Sequence, residues 1–120
     1  MSNRPEIPEG ITHIEYFDQL LRDRVNKSAI PRIAGVDVVI QFEITDKEDG
    51  VWSIVIEKGI VKEVTKGVHN SPTSVFSLGS EVFLSILLRK ITLQQAFFSG
   101  KMDTKGDVLL ALKLNALFDL

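Results

Sequence analysis

Residues 36–57, Val36-Asp37-Val38-Val39-Ile40-Gln41-Phe42-Glu43-Ile44-Thr45-Asp46-Lys47-Glu48-Asp49-Gly50-Val51-Trp52-Ser53-Ile54-Val55-Ile56-Glu57, decide the class of fold. Val36, Val38, Ile40, Phe42 and Ile44 alternate with Asp37, Gln41 and Glu43, the two-residue period of a half-buried strand. Trp52, Ile54 and Ile56 alternate with Ser53 and Glu57 in the same way. Between the two runs, Asp46 to Gly50 is polar and closes on Asp-Gly, a strong hairpin signal. Lys58-Gly59 turns the chain again, and Ile60 to Thr65 reads as a third strand with Ile60 and Val64 on one face, although Lys62 interrupts the pattern. The product is an antiparallel meander with a wet outer face.

Helical signals flank this meander. Residues 1–10 hold Pro5, Pro8 and Gly10 and read as a flexible lead-in to a single domain over 11–120. Thr12 and Glu15 have the spacing of a capping box. Ile14, Phe17, Leu21 and Val25 then recur on one helical face, and Pro31 is the expected stop. After the meander, Thr73–Leu78 reads as a fourth strand, and Ser80 caps a helix reaching about Leu88. Thr92 and Gln95 make a second capping box, for a short helix that Gly100 closes. Met102–Lys105 reads as a fifth strand, and Asp107 opens a final helix to about Leu117. The expected class is α+β: a five-stranded, mostly antiparallel sheet with helices on one face.

Composition narrows the functions. With 44% hydrophobic and 25% charged residues over 120 positions, the chain is globular rather than disordered. It has no cysteine, which excludes disulfides and thiolate chemistry, and its net charge of −2 gives no basic footprint for nucleic acid. The longest apolar stretches, Val82–Leu88 and Val108–Leu112, are too short to span a bilayer, so a cytoplasmic protein is expected. No cofactor or metal is expected either. His13 and Glu15 are two apart and face different directions on a helix, and His69 is remote from both. No Gly-x-Ser-x-Gly elbow, phosphate-binding loop or dinucleotide fingerprint occurs, so the reading is that of a non-enzyme. Lys58, Lys62 and Lys66 read as a solvated face or as a transient contact with anionic membrane head groups.

The mean hydropathy of +0.12 is concentrated in the last third. Residues 82–88 and 108–118 are apolar over most of a helical circumference, more than a surface helix needs. A second apolar face has three uses: ordinary core, a dimer face, or the wall of an apolar cavity.

The runs Phe76-Ser77-Leu78-Gly79-Ser80-Glu81-Val82-Phe83 and Gln94-Gln95-Ala96-Phe97-Phe98-Ser99-Gly100-Lys101-Met102, followed by Gly106-Asp107 and Leu110-Ala111-Leu112-Lys113-Leu114, resemble the sterol carrier protein-2 (SCP2) family. The resemblance extends more weakly over Ile11 to Leu117. It implies a sheet and helices enclosing an apolar tunnel, and non-catalytic binding and transfer of a lipid such as a fatty acid, fatty acyl-CoA, phospholipid, sterol or quinone-like molecule. It assigns Phe76, Leu78, Phe83, Leu87, Phe97, Phe98, Met102, Leu110, Leu114 and Leu117 to the ligand-binding wall. Arg89 stands where the family commonly has Gly, and Leu93 where it commonly has Pro. The alternatives are a dimerisation or interaction module pairing through the last helix, and a lipid-binding accessory protein for a membrane-lipid biosynthetic enzyme.

Overall fold

The computed structural model describes residues 10–27, 35–68 and 71–107. Five strands form one sheet: β1 (Val38–Ile44), β2 (Val51–Glu57), β3 (Ile60–Lys66), β4 (Ser74–Leu78) and β5 (Met102–Gly106). Their order is β3-β2-β1-β4-β5. The pairs β1–β2, β2–β3 and β4–β5 are antiparallel, while β1 and β4 are parallel. The parallel pair arises because β4 crosses past β1 and β2 instead of continuing the meander.

Alternation places the apolar side chains on one face. Phe42 stands between Trp52 and Phe76, Ile40 is opposite Ile54, and Ile44 is beside Leu78. All six are buried. β3 departs from the expected pattern for a specific reason. Ile56 pairs with Val61 but Val55 pairs with Glu63, so Lys62 is the extra residue of a β-bulge. The bulge turns both Val61 and Val64 into the core and leaves Ile60 half-buried, correcting the Ile60–Val64 face. Lys58 and Gly59 both have positive φ (52° and 76°), which makes the β2–β3 connection a type I′ turn.

The outer face of the central strands is not wet. Gln41 and Ser53 are buried there, and Val39, Val55 and Val75 are half-buried. Burial is tolerated because the polar atoms are bonded: Gln41 Nε2 and Ser77 Oγ donate to the two oxygens of Glu43, and Ser53 Oγ donates to the Gly67 carbonyl.

The first helical segment starts as expected and ends early. Thr12 Oγ1 accepts from the Glu15 N–H at 3.1 Å, but the Glu15 carboxylate accepts from the Thr12 hydroxyl, so only half of the capping box forms. A short α turn, α1 (His13–Glu15), widens into a π-helical stretch at Tyr16–Leu21 and tightens into a 3-10 turn at Arg22–Arg24. Val25 is already extended, with ψ 127°, and Asn26 takes φ 61°, so the helix stops well before Pro31. Tertiary contacts dictate that stop. Arg22 Nη2 donates to the Val64 carbonyl at 2.8 Å and the Asn26 N–H to the Val61 carbonyl at 2.8 Å, tying the segment to the bulged strand.

α2 (Ser80–Leu87) and α3 (Leu93–Phe98) connect β4 to β5. α2 ends in a Schellman motif: Lys90 N–H bonds the Ser85 carbonyl and Arg89 N–H the Ile86 carbonyl. Its left-handed position is Arg89, at φ 61°, where glycine is ordinarily favoured. α3 carries the full Thr92–Gln95 capping box and ends in the same motif, with Gly100 at φ 76°. Leu93, at the first position of α3, is fully buried and exchanges the fixed backbone of a proline for core packing. The expected final helix and the lead-in over residues 1–9 lie outside the described residues.

The core is centred on aromatic rings. Phe17, fully buried, stacks on Trp52 and Phe83, both with centroids at 5.3 Å, and meets Tyr16 and Phe42 at 5.3 and 5.5 Å. Phe83 touches Tyr16 and Phe42, and Phe42 touches Phe76. Phe17 therefore bolts the first helical segment to the sheet and to α2 at one point. No helix among the described residues is long and apolar enough to cross a membrane.

Candidate functional site

An apolar cleft of about 420 Å³ opens between the first helical segment and α2. Ile11 and Ile14 form one wall, Leu84 the other, and Phe83 and Leu87 line it where they meet the core. Thr12, His13, Lys47, Ser80 and Glu81 supply its polar lining. Helical spacing explains the α2 contribution. Phe83, Ile86 and Leu87 are buried, and Leu84, one position round from Phe83, is only half-buried and borders the cleft. Ile14 is 39% exposed at the edge of the cleft.

The loop over residues 45–50 fixes both walls. Asp46 accepts from the Ser80 hydroxyl at 2.6 Å and from the Ser80 N–H at 2.7 Å, so the cap of α2 comes from 34 residues away and not from Ser80, which is the helix's first residue. These two bonds, the hydroxyl's first, hold the Asp46 carboxyl below the usual carboxylate range. On the other side, the Asp49 carbonyl accepts from Trp52 Nε1 and from His13 Nε2, both at 2.9 Å. The acceptor is a carbonyl, so His13 carries a proton on Nε2 in this arrangement. The Asp49 carboxylate pairs with Lys66, whose hydrogen bond and charge lower its pKa. Gly50 closes the loop where no side chain fits: a Cβ there would lie 2.2 Å from the Ile44 carbonyl oxygen.

Among the described residues, two of the expected wall residues, Phe83 and Leu87, line this cleft. Phe76, Leu78 and Met102 are buried on the inner sheet face. Phe97 is half-buried against the core, and Phe98 is 68% exposed on α3 in a separate shallow groove. Leu110, Leu114 and Leu117 lie outside the described residues. Ile11, Ile14, Leu84 and Lys47 were not singled out by the sequence as lining a site. Ile14 reads as part of the helical stripe with Phe17, Leu21 and Val25, and Lys47 reads as part of a polar hairpin loop.

The lysines of the β2–β3 hairpin do not act as one stripe. Lys66 pairs with Asp49, Lys62 Nζ donates to Asn26 Oδ1 at 3.1 Å, and Lys58 occupies the turn. Among the described residues no three histidine or acidic side chains converge on a metal position, and His69 lies outside them.

Known proteins share this fold. Hydroxysteroid dehydrogenase-like protein 2 of Rattus norvegicus is 31% identical over 109 residues, which is 87% of this chain and 19% of that protein. The chain thus spans about a fifth of the length of the curated relatives it matches. The palmitated SCP2L2 of Aedes aegypti, solved by NMR in solution, is 27% identical with a TM-score of 0.67, covering 90% of this chain and 95% of that one. The inverting sec-alkylsulfatase Pisa1 of a Pseudomonas species shares the fold over 96% of this chain and 17% of its own, with a TM-score of 0.69 at 22% identity. The sequence pattern of the SCP-2 sterol transfer family matches residues 17–119. With the five-stranded mixed sheet, the α2–α3 pair between β4 and β5, and the family pattern over most of its length, the chain belongs to the SCP-2 sterol transfer family.

Proposed function

We propose that this domain binds a hydrophobic molecule non-covalently, with an apolar tail in the cleft between the first helical segment and α2. The polar end of the ligand faces Lys47 and His13. One observation carries this reading: apolar side chains from two separate elements, Ile11 and Ile14 against Leu84, leave between them a cleft floored by Phe83 and Leu87. Its volume of about 420 Å³ falls in the range of small-molecule sites, roughly 300–1,000 Å³. The palmitated state of the Aedes relative supports an acyl chain as the tail. Each methylene buried contributes about 0.8 kcal/mol, so chain length governs affinity. Phe76, Leu78 and Met102 stand deeper and form the inner wall if the cleft lengthens into a tunnel around a long ligand. The domain acts as a carrier and performs no chemistry on its cargo. In proteins the length of the rat relative, it would supply lipid to an attached domain.

Native mass spectrometry of freshly purified protein, followed by titration with a fluorescent long-chain fatty acid, tests the proposal. The expected result is a co-purified lipid or saturable one-to-one uptake, weakened at least tenfold by Leu84→Lys. Absence of both co-purified lipid and saturable uptake overturns it.

A further inference from the structure

Thr104, on the edge strand β5, holds a buried hydroxyl that the fold leaves unused. Its Oγ1 is closed off from solvent and, alone among the buried side-chain polar atoms of the described residues, has no hydrogen-bond partner. The register sets Thr104 beside Phe76 and two residues beyond Met102, both buried on the inner face of the sheet, so its side chain stands on that face too. A near neighbour makes the contrast. Ser74 is the next inner-face residue along β4, and its hydroxyl donates to the Asp107 carbonyl at 3.1 Å. On the outer face, Gln41, Ser53 and Ser77 are all bonded.

Strand formation does not explain the hydroxyl. Valine has the same branched shape and suits a strand as well, without a polar atom to bury. A buried hydroxyl left unbonded has given up its hydration without replacement, so threonine destabilises the empty domain at this position. Thr104 is nevertheless not sealed in. The residue as a whole is half-buried, so part of it remains accessible to an arriving group. Rotation about χ1 moves the hydroxyl between staggered positions, which lets it turn to such a group.

A row of rings leads to Thr104 from the cleft. Phe83 lines the cleft and has its centroid 6.1 Å from that of Phe42; Phe42 lies 5.4 Å from Phe76, and Phe76 is the cross-strand neighbour of Thr104. A tail that lengthens the cleft along this apolar row ends at the hydroxyl.

We propose that Thr104 is a polar stop at the deep end of the ligand site, where its hydroxyl binds a hydroxyl or carbonyl oxygen carried on the ligand's tail, away from the head group. The proposal rests on the reading that the cleft takes a lipid tail. The preferred cargo is a lipid oxygenated along its chain or at the chain end, because a plain hydrocarbon tail leaves the Thr104 hydroxyl unbonded.

Calorimetric titration tests the proposal, comparing hexadecanoate with hydroxyhexadecanoates that carry the hydroxyl at mid-chain or at the chain end. At least one hydroxylated acid should bind the wild type about fivefold more tightly than hexadecanoate, the gain of one net hydrogen bond. Thr104→Val should abolish that preference while leaving hexadecanoate binding within about twofold of wild type, and Thr104→Ser, which keeps the hydroxyl, should retain it. Without ligand, Thr104→Val should melt about 4 °C higher than wild type, since the unbonded hydroxyl is gone. A lower melting temperature for Thr104→Val shows the hydroxyl bonded within the fold and overturns the proposal. Saturable hexadecanoate uptake with no hydroxylated acid preferred, or a preference that survives Thr104→Val, also overturns it and leaves the cleft reading standing. No saturable uptake of any acid overturns the cleft reading and this proposal with it.

Discussion

Replacing Phe17 by Leu tests whether one ring joins the first helical segment to the rest of the fold. Phe17 is fully buried and contacts four aromatic neighbours, Tyr16, Phe42, Trp52 and Phe83, with centroids at 5.3 to 5.5 Å. Such pairs contribute about 0.5–1.5 kcal/mol each beyond their buried area. Leucine keeps much of the dispersion contact, so the loss falls at the low end of the sum, about 2 kcal/mol. For a domain of this size 1 kcal/mol shifts the melting temperature by about 4 °C, which puts Phe17→Leu about 8 °C below wild type. Phe17→Ala would cost about 3–5 kcal/mol, a large part of the stability of a typical domain. The assay is thermal and urea unfolding of wild type, Phe17→Leu, Phe42→Leu and the double variant. Because the rings touch, the double variant should lose at least about 0.5 kcal/mol less than the two singles together. A Phe17→Leu shift below about 2 °C, or strict additivity with Phe42→Leu, would refute the placement of Phe17 at the junction.

Three further outcomes follow from the backbone and the loop. Gly106→Ala combines a φ of 87° with a Cβ 2.2 Å from the Thr73 carbonyl oxygen, and should destabilise the protein by about 2–4 kcal/mol in urea unfolding. Lys58→Asn puts the preferred residue in the type I′ turn and should stabilise by about 0.5 kcal/mol, read as a small rise in melting temperature. Asp46 has its carboxyl pKa lowered by folding, so its contribution is present above the unfolded value and is lost as pH falls through the folded one. Melting temperatures measured between pH 7 and pH 3 should therefore fall less steeply for Asp46→Asn than for wild type; parallel curves would show that the Asp46–Ser80 cap carries no charge-dependent stability.

Much of the sheet was legible because period-two alternation is a local signal. The core-facing sets of β1, β2 and β4 stand where Ile40, Phe42, Trp52, Ile54, Phe76 and Leu78 alternate with other residues. Lys62 marked an irregularity in β3 whose cause, a bulge, requires knowledge of the partner strand. The parallel β1–β4 pair is a topological fact with no local signature. The Thr92–Gln95 box and Gly100 were readable because both partners lie within a few residues. The cap of α2 was not, since Asp46 and Ser80 are separated by a whole meander and Asp46 reads alone as a hairpin residue. The early end of the first helix was hidden for the same reason, because its bonds from Arg22 and Asn26 run to β3.

The candidate site was legible only in its α2 half. An apolar excess in residues 82–88 signalled a second buried face, and the structure directs Phe83 and Leu87 inward and sets Leu84 beside the cleft. The opposing wall, Ile11 and Ile14, belongs to a segment whose pattern predicts only an amphipathic helix. What makes it a wall is the pair of loop contacts, His13 to Asp49 and Ser80 to Asp46, that hold both sides apart at a set distance.

Methyl-resolved NMR during titration with a long-chain fatty acid tests the location of the site most directly. The account predicts saturable shifts at the methyl groups of Ile11, Ile14, Leu84 and Leu87, with the methyls of Ile40, Ile54 and Val61 at the far side of the sheet core little changed. Shifts confined to Ile91 and other residues of the α2–α3 corner, or no saturable shift at any methyl group, would contradict it.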